Sequence, residues 1–297
     1  MGEITLRRAL EDYKTVYMAY RNLAERTRVE YLNDLNDLVS FLERIGKSRV
    51  EKIDLFHLER YLAELDQKGY TGSTRKRKAI VIRSFFNFLY QGGYISNNVA
   101  CQLIPAFPDN RSPRFLTQNE QERLLISCSN NPRDKAIIEL FLQTGIALGE
   151  LTRLRVNDIE LPERLGAEQS AVGLLHVSGG RGRKSRDLPL TPEVYQLIGE
   201  YLKSRRYNQS EVLFLNKFGF PLRNRGVQKL VRKYMDKADI KDASVHTLRH
   251  TFGAYEAIKG LKLQTIQKIM GLKDIRTVST YTLLAKEVEG DLEDINL

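Results

Sequence analysis

The sequence has little cysteine and no long apolar run, and each shortage argues against a class of protein. Cys101 and Cys128 are the only cysteines among 297 residues, and their spacing suits neither a metal site nor a disulfide, so we expect two small buried residues. No apolar stretch approaches the roughly eighteen residues of a membrane-spanning helix. Glu3, Arg7 and Arg8 stand where a secretory signal would have its apolar core. We therefore expect a cytoplasmic or nucleoid-associated protein without a membrane segment.

Motifs for nucleotide or metal chemistry are also missing. The sequence has no glycine-rich phosphate loop followed by Lys-Ser or Lys-Thr, and no cluster of carboxylates at the spacing of a metal site. We therefore predict that the protein uses no cofactor and no metal. Any chemistry on phosphate would then depend on positioned side chains and fixed positive charge.

Basic residues outnumber acidic ones in this chain. There are 47 Lys and Arg against 37 Asp and Glu, for a net charge of +10 and a pI near 9.5. This excess favours a polyanionic partner, either nucleic acid or an acidic membrane surface. The length allows two domains with separate cores or one large domain.

Helical spacing of apolar residues runs through the first part of the chain and predicts four helices between residues 4 and 93. The fourth begins at Ser73 or Thr74, and we expect its apolar residues to face inward: Ile80, Ile82, Phe85, Phe86 and Leu89. Prolines and polar residues accumulate between 97 and 113, which indicates a linker. We therefore predict a helical domain at residues 1–108, a linker at 109–116 and a second domain at 117–297.

The second domain is predicted to be mainly helical, with one β-hairpin. Thr117 and Glu120 have the spacing of a capping box at its first helix, and an apolar helix at about 133–143 should form the central core. Residues 173–190 show two short strands around a glycine-rich basic turn. The predicted fold class is therefore mainly α with a small β-hairpin or sheet, and the hairpin carries a basic finger that includes Arg183.

Two further groups of basic residues are candidates for phosphate binding. The first lies in the first turn of the fourth helix: Arg75, Lys76, Arg77 and Lys78. Four cations beside a positive helix end repel each other unless an anion lies between them, so we favour phosphate binding over a solvated charged face. The second lies on one side of an amphipathic helix at 224–238: Arg225, Lys229, Arg232 and Lys233. A DNA-facing helix and a solvated surface helix are both open interpretations of this second group.

A helix that starts after Ser244 carries the most informative pair of polar residues. Ser244 is a good N-cap, and His246 and Arg249, three residues apart, leave the same face of the helix. A general acid or base and a fixed cation then point to one spot, as attack on a phosphodiester requires. The alternative is a polar helix start with an arginine on the surface.

Together with two other segments, this pair resembles the tyrosine recombinase family of phage integrases, Xer-type resolvases and transposon-borne integrases. One segment runs from Thr144 to Leu151 with Glu150 in it, and the other runs from Ile269 to Tyr281. Tyr281 lies 35 residues after His246, which fits the order and spacing of the family. The similarity spans nearly the whole chain.

The resemblance implies a C-shaped DNA clamp made of a helical core-binding domain and a mainly helical catalytic domain. It implies attack of Tyr281 on a DNA phosphodiester, which gives a 3′-phosphotyrosyl link without ATP or metal. Arg249 would bridge the phosphate oxygens, His246 would assist proton transfer, and Glu150 would orient the site. Arg181 corresponds to the hairpin lysine of the family, and Arg181 or the nearby Lys184 would act on the leaving 5′-oxygen.

Two positions depart from the family pattern. Ala147 stands where the family has its first catalytic arginine, and Leu272 stands where it has a histidine. Ala147 has two explanations: an arginine replaced to trap a DNA complex, or a divergent branch with a displaced cation. The main expectation is a site-specific DNA recombinase. The alternatives are an impaired or non-catalytic DNA-binding protein of the same fold and a topoisomerase-like relative.

The resemblance also implies partners and a setting. We expect binding to double-stranded DNA as a homo-oligomer, from dimer to tetramer, in the cytoplasm of a bacterium or archaeon. The tail after Tyr281 would dock on a neighbouring subunit, with a helix folded onto its own domain as the alternative.

Overall fold

A computed structural model describes residues 4–21, 23–106, 113–160, 173–179, 184–205, 209–275, 278, 280 and 281. The chain divides into two compact units, Met1–Arg111 and Ser112–Leu297. The described residues are mostly helical with one small antiparallel sheet, which confirms the predicted fold class. No helix among them combines the length and the apolar character that crossing a membrane requires.

The first unit is helical. Its α-helices are α1 (Leu6–Asp12), α2 (Met18–Tyr20), α3 (Glu25–Arg44), α4 (Leu55–Gln67) and α5 (Gly72–Gln91), with a π-helical turn at Tyr13–Tyr17 and 3-10 turns at Val50–Lys52 and Val99–Gln102. Helix α5 begins one or two residues before the predicted position, because Thr71 is its N-cap and accepts a hydrogen bond from Thr74 N at 3.3 Å.

The core of the first unit lies between α1, α3, α4 and α5, and two expectations about side chains there are wrong. Ile80 on α5 is exposed, and Val81 is buried in its place beside Ile82. Cys101 is exposed because the 3-10 turn buries Ala100 instead, whereas Cys128 in the second unit is buried as expected.

The second unit contains the remaining elements. Its helices are α6 (Gln118–Ser127), α7 (Pro132–Thr144), α8 (Leu148–Leu151), α9 (Pro192–Ser204), α10 (Asn224–Lys237), α11 (Val245–Ile258) and α12 (Leu263–Met270), and its strands are β1 (Ile159–Glu160), β2 (Gly173–Val177) and β3 (Arg186–Leu190). The predicted capping box is present, since Thr117 Oγ1 accepts from Glu120 N at 3.3 Å and Glu120 Oε2 accepts from Thr117 N at 3.0 Å. Helix α7 is buried on most faces and packs against α9 and α11, as expected of a central helix.

The sheet has the order β1-β2-β3, and both pairings are antiparallel. The hairpin of β2 and β3 was predicted, whereas the short β1 was not. His176 on the central strand links both edges: Nδ1 lies 2.7 Å from Asp187 Oδ1 on β3, and Nε2 lies 2.9 Å from Glu160 Oε1 on β1. Hydrogen bonds to Asp187 and Glu160 raise the pKa of His176 above its ordinary value.

Candidate active site

A small pocket in the second unit brings together four residues that the sequence analysis singled out. It has a volume of about 160 Å³, and His246, Arg249, Ala147 and Leu272 line it together with apolar side chains. The pocket is built where the end of α7, the start of α8, the start of α11 and the residues after α12 meet. Segments about a hundred residues apart in the chain therefore form one site.

The first turn of α11 places His246 and Arg249 as expected. Ser244 Oγ accepts a hydrogen bond from His246 N at 3.2 Å, and Thr247 Oγ1 accepts one from Ser244 N at 2.9 Å. These bonds satisfy N–H groups that the helix leaves open at its start. The ring of His246 is exposed, whereas Arg249, one turn later, is buried.

Arg249 is held between the ends of two helices. Its Nη2 donates to Met270 O at 2.6 Å, and its Nη1 donates to Gly145 O. Met270 is the last residue of α12, and Gly145 caps the end of α7 in a left-handed conformation. Both carbonyls belong to helix C-termini, whose partial negative charge favours a cation. The guanidinium is thus fixed in place while 9% of the residue stays accessible.

Glu150 lies beside the pocket and pairs with a residue that the sequence analysis did not identify, Arg186. Arg186 Nη1 and Nη2 donate to the two Glu150 oxygens at 3.1 and 2.8 Å. Glu150 Oε2 also accepts from Ala147 N at 2.9 Å. Burial raises the pKa of Glu150, but the hydrogen bonds from Arg186 and from the Ala147 N–H outweigh it and bring the pKa below its ordinary value. The carboxylate is therefore charged and fixes the backbone at residue 147.

Tyr281 is buried next to this site and is not among the residues that line the pocket. It is 1% exposed and packs in an apolar cluster with Phe252, Ile266, Met270 and Val278. Burial raises the pKa of its phenol, and the nearby Arg249 only partly opposes this effect. The phenol is therefore uncharged near neutral pH.

The Tyr281 hydroxyl lies 3.0 Å from Nδ1 of His250, a second residue that the sequence analysis did not identify. Burial lowers the pKa of His250 to about 4, and electrostatic interactions with His246 and Arg249 act in the same direction. Two uncharged groups thus share this hydrogen bond. The four-residue spacing between His246 and His250 was the available signal, since residues at that spacing are neighbours on a helix.

The signal for Arg186 lay in the alternation of β3. Leu188 and Leu190 are buried, while Asp187 and Pro189 are exposed. Arg186 falls on the same side as the two leucines, where a charged residue needs a buried partner.

The basic finger of the hairpin is described only in part. Arg181 and Arg183 lie outside the described residues. Lys184 is exposed and lines a second pocket, of about 530 Å³, with Lys268, Lys273 and Leu272. Leu272 also lines the first pocket, so the pocket that Lys184 lines adjoins the pocket of His246 and Arg249.

The basic group on α5 has partners that the sequence analysis did not foresee. Lys78 is buried, and its Nζ lies 3.0 Å from Asp34 Oδ1 and 2.7 Å from Asp37 Oδ2. Arg77 pairs with Asp34 as well, and Arg75 pairs with Asp66. The argument that these cations need a bound anion is therefore wrong for Lys78, since carboxylates of the protein neutralise it. Phosphate binding by Arg75, Lys76 and Arg77 stays a prediction.

Helix α10 has the predicted amphipathic form. Its buried side packs in the core of the second unit through Val227, Val231 and Met235. Its basic side chains are exposed: Arg225, Lys229, Arg232 and Lys233. Arg232 pairs with Asp236 at 2.9 Å. The arrangement is suited to a nucleic-acid backbone, and a DNA-facing role for α10 stays a prediction.

Comparisons with known proteins identify relatives of both units. The model of the phage integrase family matches residues 114–287, and that of the phage integrase N-terminal SAM-like domain matches residues 10–93. Tyrosine recombinase XerC of Natranaerobius thermophilus is 31% identical over 291 residues, covering 93% of this chain and 94% of the relative. XerC of Pelobacter propionicus is 33% identical over 270 residues, covering 88% and 86%.

Solved structures share the fold. The XerH site-specific recombinase bound to a palindromic difH substrate, a post-cleavage complex, has a TM-score of 0.76 and 21% identity, covering 96% of this chain and 84% of that one. A lambda integrase tetramer bound to a Holliday junction has a TM-score of 0.76 and 17% identity, covering 94% and 78%.

Proposed function

Because the chain belongs to the phage integrase family of tyrosine recombinases, whose reaction is site-specific recombination of DNA, we propose that Tyr281 is its nucleophile and that Arg249 and His246 hold the phosphate. The observation that supports this proposal is the pocket shared by His246 and Arg249, with Tyr281 buried in the adjoining cluster.

The proposed reaction exchanges one phosphodiester for another. The Tyr281 oxygen attacks phosphorus and gives its phenol proton to His246 or to water. The bond from phosphorus to the 5′-oxygen breaks, and a proton delivered to that oxygen makes it a free 5′-hydroxyl. A hydroxyl of the second strand then reverses the step. The covalent intermediate keeps the energy of the broken bond, so no ATP is consumed. Arg249 stabilises the charge that develops on the phosphate oxygens, because its guanidinium is already fixed by two carbonyls.

The cations on the β-hairpin complete the proposed site. Lysine can give up a proton when its surroundings lower its pKa, whereas arginine effectively cannot. We therefore assign charge stabilisation to Arg181 and proton delivery to Lys184 or to water. Cleavage also requires the Tyr281 hydroxyl to leave His250, because in the described conformation it lies outside the pocket.

Because Ala147 and Leu272 stand where the family has an arginine and a histidine, this pocket has one cation and one polar group fewer. We propose that cleavage is slow for that reason. The loss of a phosphate-clamping arginine costs about 10³- to 10⁵-fold in rate. Ala147→Arg should therefore raise the rate of strand cleavage. An unchanged or lower rate on DNA that the protein binds would contradict the placement of residue 147 in the catalytic set.

We propose double-stranded DNA as the partner and a dimer to tetramer on DNA as the active assembly, in a bacterial cytoplasm. The lambda integrase structures include a dimer bound to a core site and a tetramer bound to a Holliday junction, and the relatives quoted above are bacterial. Binding should use the exposed basic residues of α10 and the basic finger. The tail proposed to dock in trans, residues 282–297, lies outside the described residues.

A trapping assay tests the proposal. Duplexes are selected from a random pool for binding and are given a nick close to the cleavage site. After cleavage the short fragment with the new 5′-hydroxyl diffuses away, so that the covalent adduct accumulates. Wild type and Ala147→Arg should form the adduct, and Tyr281→Phe should bind the same duplexes without forming it. Tyr255→Phe, a tyrosine change elsewhere on α11, is the matched control and should behave as wild type.

The outcomes separate the two main interpretations. An adduct with Tyr281→Phe contradicts the assignment of the nucleophile. Binding without an adduct by both wild type and Ala147→Arg favours the non-catalytic DNA-binding protein.

A further inference from the structure

Arg186, at the start of β3, is the residue in which three elements of the second unit meet. Its two terminal nitrogens hold Glu150 on α8, as described above, and its Nε donates to Ile269 O near the end of α12 at 2.6 Å. Its side chain is 10% exposed, and that of Glu150 is 2% exposed. Each of the three guanidinium nitrogens of Arg186 therefore donates a hydrogen bond to an acceptor within the protein.

Arg186 and Arg249 together bind adjacent carbonyls at the end of α12. Arg186 donates a hydrogen bond to Ile269 O, and Arg249 donates one to Met270 O. The last four carbonyls of a helix have no partner within it, and the guanidinium groups of Arg186 and Arg249 supply partners here. The end of α12 is therefore fixed from two sides, by β3 and by α11.

Gly271, the residue after α12, shows how closely Arg186 approaches. Its φ of +61° is a conformation that favours glycine. A Cβ on this residue would lie 2.7 Å from Nη1 and 2.9 Å from Cζ of Arg186. The glycine thus leaves room for the guanidinium, and the chain then turns to Leu272, which lines the pocket of Arg249 and His246.

The other end of the same network reaches a second residue that lines that pocket. Glu150, held by Arg186, accepts from the backbone N–H of Ala147, and Ala147 lines the pocket. Arg186 therefore acts on two residues that line the pocket: on Ala147 through Glu150, and on Leu272 through the end of α12.

We infer that Arg186 is a positioning residue of the recombination site, which locks β3, the start of α8 and the end of α12 into one arrangement around Arg249. This role rests on the proposed strand cleavage, but the locking itself does not depend on it. Lysine cannot replace Arg186 fully, because one ammonium group cannot donate two parallel hydrogen bonds to Glu150 and a third to Ile269 O.

Three changes test the inference in the full-length chain. Arg186→Met removes the guanidinium, and Arg186→Lys keeps the charge without the fork. Arg186→Met combined with Glu150→Gln also removes the carboxylate charge that would otherwise be buried without its partner. Arg155→Met is the matched control, since Arg155 forms an exposed pair with Glu211 at 3.0 Å in the same unit.

The first readout is amide hydrogen exchange, which needs no activity. Arg186→Met should speed exchange in three separate segments, 186–190, 147–151 and 269–272, whereas Arg155→Met should not. Faster exchange confined to 186–190 would overturn the inference, because β3 would then be held independently of α8 and α12.

The second readout is the rate of the covalent adduct on the trapping duplexes, measured well below the unfolding temperature. We expect a fall of about 10²-fold in Arg186→Met at unchanged DNA affinity, since misplacement of about 1 Å in a site costs this much. Arg186→Lys should be intermediate, and the double variant should regain stability without regaining rate. A wild-type rate in Arg186→Met would show that Arg186 only stabilises the fold and would overturn its role in positioning.

These readouts also separate this inference from the proposed function. If wild type and Arg155→Met form no adduct on any duplex, the proposed cleavage is wrong, and the exchange experiment alone decides whether Arg186 locks the three elements.

Discussion

Gly253 offers a direct test of where the Tyr281 ring lies. An added Cβ at Gly253 would be 2.7, 2.8 and 2.9 Å from Cε2, Cζ and Cδ2 of Tyr281. Real Cβ atoms essentially never approach so closely, and ordinary contact begins at about 3.4 Å. Gly253→Ala must therefore displace the ring, because Gly253 is buried inside α11 and has little freedom to move.

The expected magnitude follows from two opposing effects. Alanine in place of glycine inside a helix stabilises by about 0.5–1 kcal/mol. Overpacking of a buried ring costs about 1–3 kcal/mol. We therefore expect Gly253→Ala to be neutral or to destabilise the second unit by up to about 2.5 kcal/mol.

Removing the ring should reverse the sign. Tyr281→Ala alone should cost about 3–5 kcal/mol, as for other large buried aromatic residues. In that background Gly253→Ala should stabilise by about 0.5–1 kcal/mol, since only the helix effect remains. The coupling energy between the two positions should then be about 1–3 kcal/mol.

Amide hydrogen exchange in α11 is a suitable assay, because it reports the stability of the second unit separately from the first. Gly199→Ala on α9 is the matched control: among the described residues, and apart from the backbone of its own helix, no atom lies within 4 Å of its added Cβ. It should stabilise equally in both backgrounds. If Gly253→Ala also stabilises equally in both, the Tyr281 ring does not cover Gly253 and the buried position of Tyr281 is wrong.

Three further predictions concern charged groups. Lys78→Met should lower the free energy of unfolding of the first unit by about 1–3 kcal/mol, because buried Asp34 loses a hydrogen-bonded cation. Lys76→Met, at an exposed position, should change this free energy by less than about 0.5 kcal/mol. Denaturant unfolding of the two variants checks the prediction. The pKa of His176 is raised in the folded state. Its contribution to stability is therefore full below about pH 6.5 and is lost as the pH rises through the folded pKa. His176→Gln should remove this part of the pH dependence of unfolding. Affinity for duplex DNA should fall steeply with salt, and Lys229→Gln should reduce the slope of log affinity against log salt by about 1; an affinity that barely changes with salt would contradict contacts to the DNA backbone.

Local rules predicted the parts of the fold that depend on residues close in sequence. The capping box of Thr117 and Glu120 and the N-cap at Ser244 are formed as the sequence indicates. The shared face of His246 and Arg249 also follows from the helix period alone. For the same reason the hairpin could be predicted from its alternation and its glycine-rich turn.

The remaining features depend on partners distant in sequence. Lys78 is neutralised by Asp34 and Asp37 on another helix, and no periodicity within α5 reveals them. The pairing of Arg186 with Glu150 likewise joins a strand to a helix 36 residues earlier in the chain. Tertiary packing selected these contacts from many charged residues, so the sequence indicates at most that such residues need partners.

The burial of Tyr281 has a consequence for a resting subunit. Its hydroxyl is uncharged, covered by the apolar cluster and bonded to an equally uncharged imidazole. If Tyr281 is the nucleophile, as proposed, a subunit that encounters a stray duplex carries it in a covered and uncharged form. The timing of strand breakage would then be set by the event that uncovers the phenol rather than by its reactivity, which would protect DNA from accidental nicks.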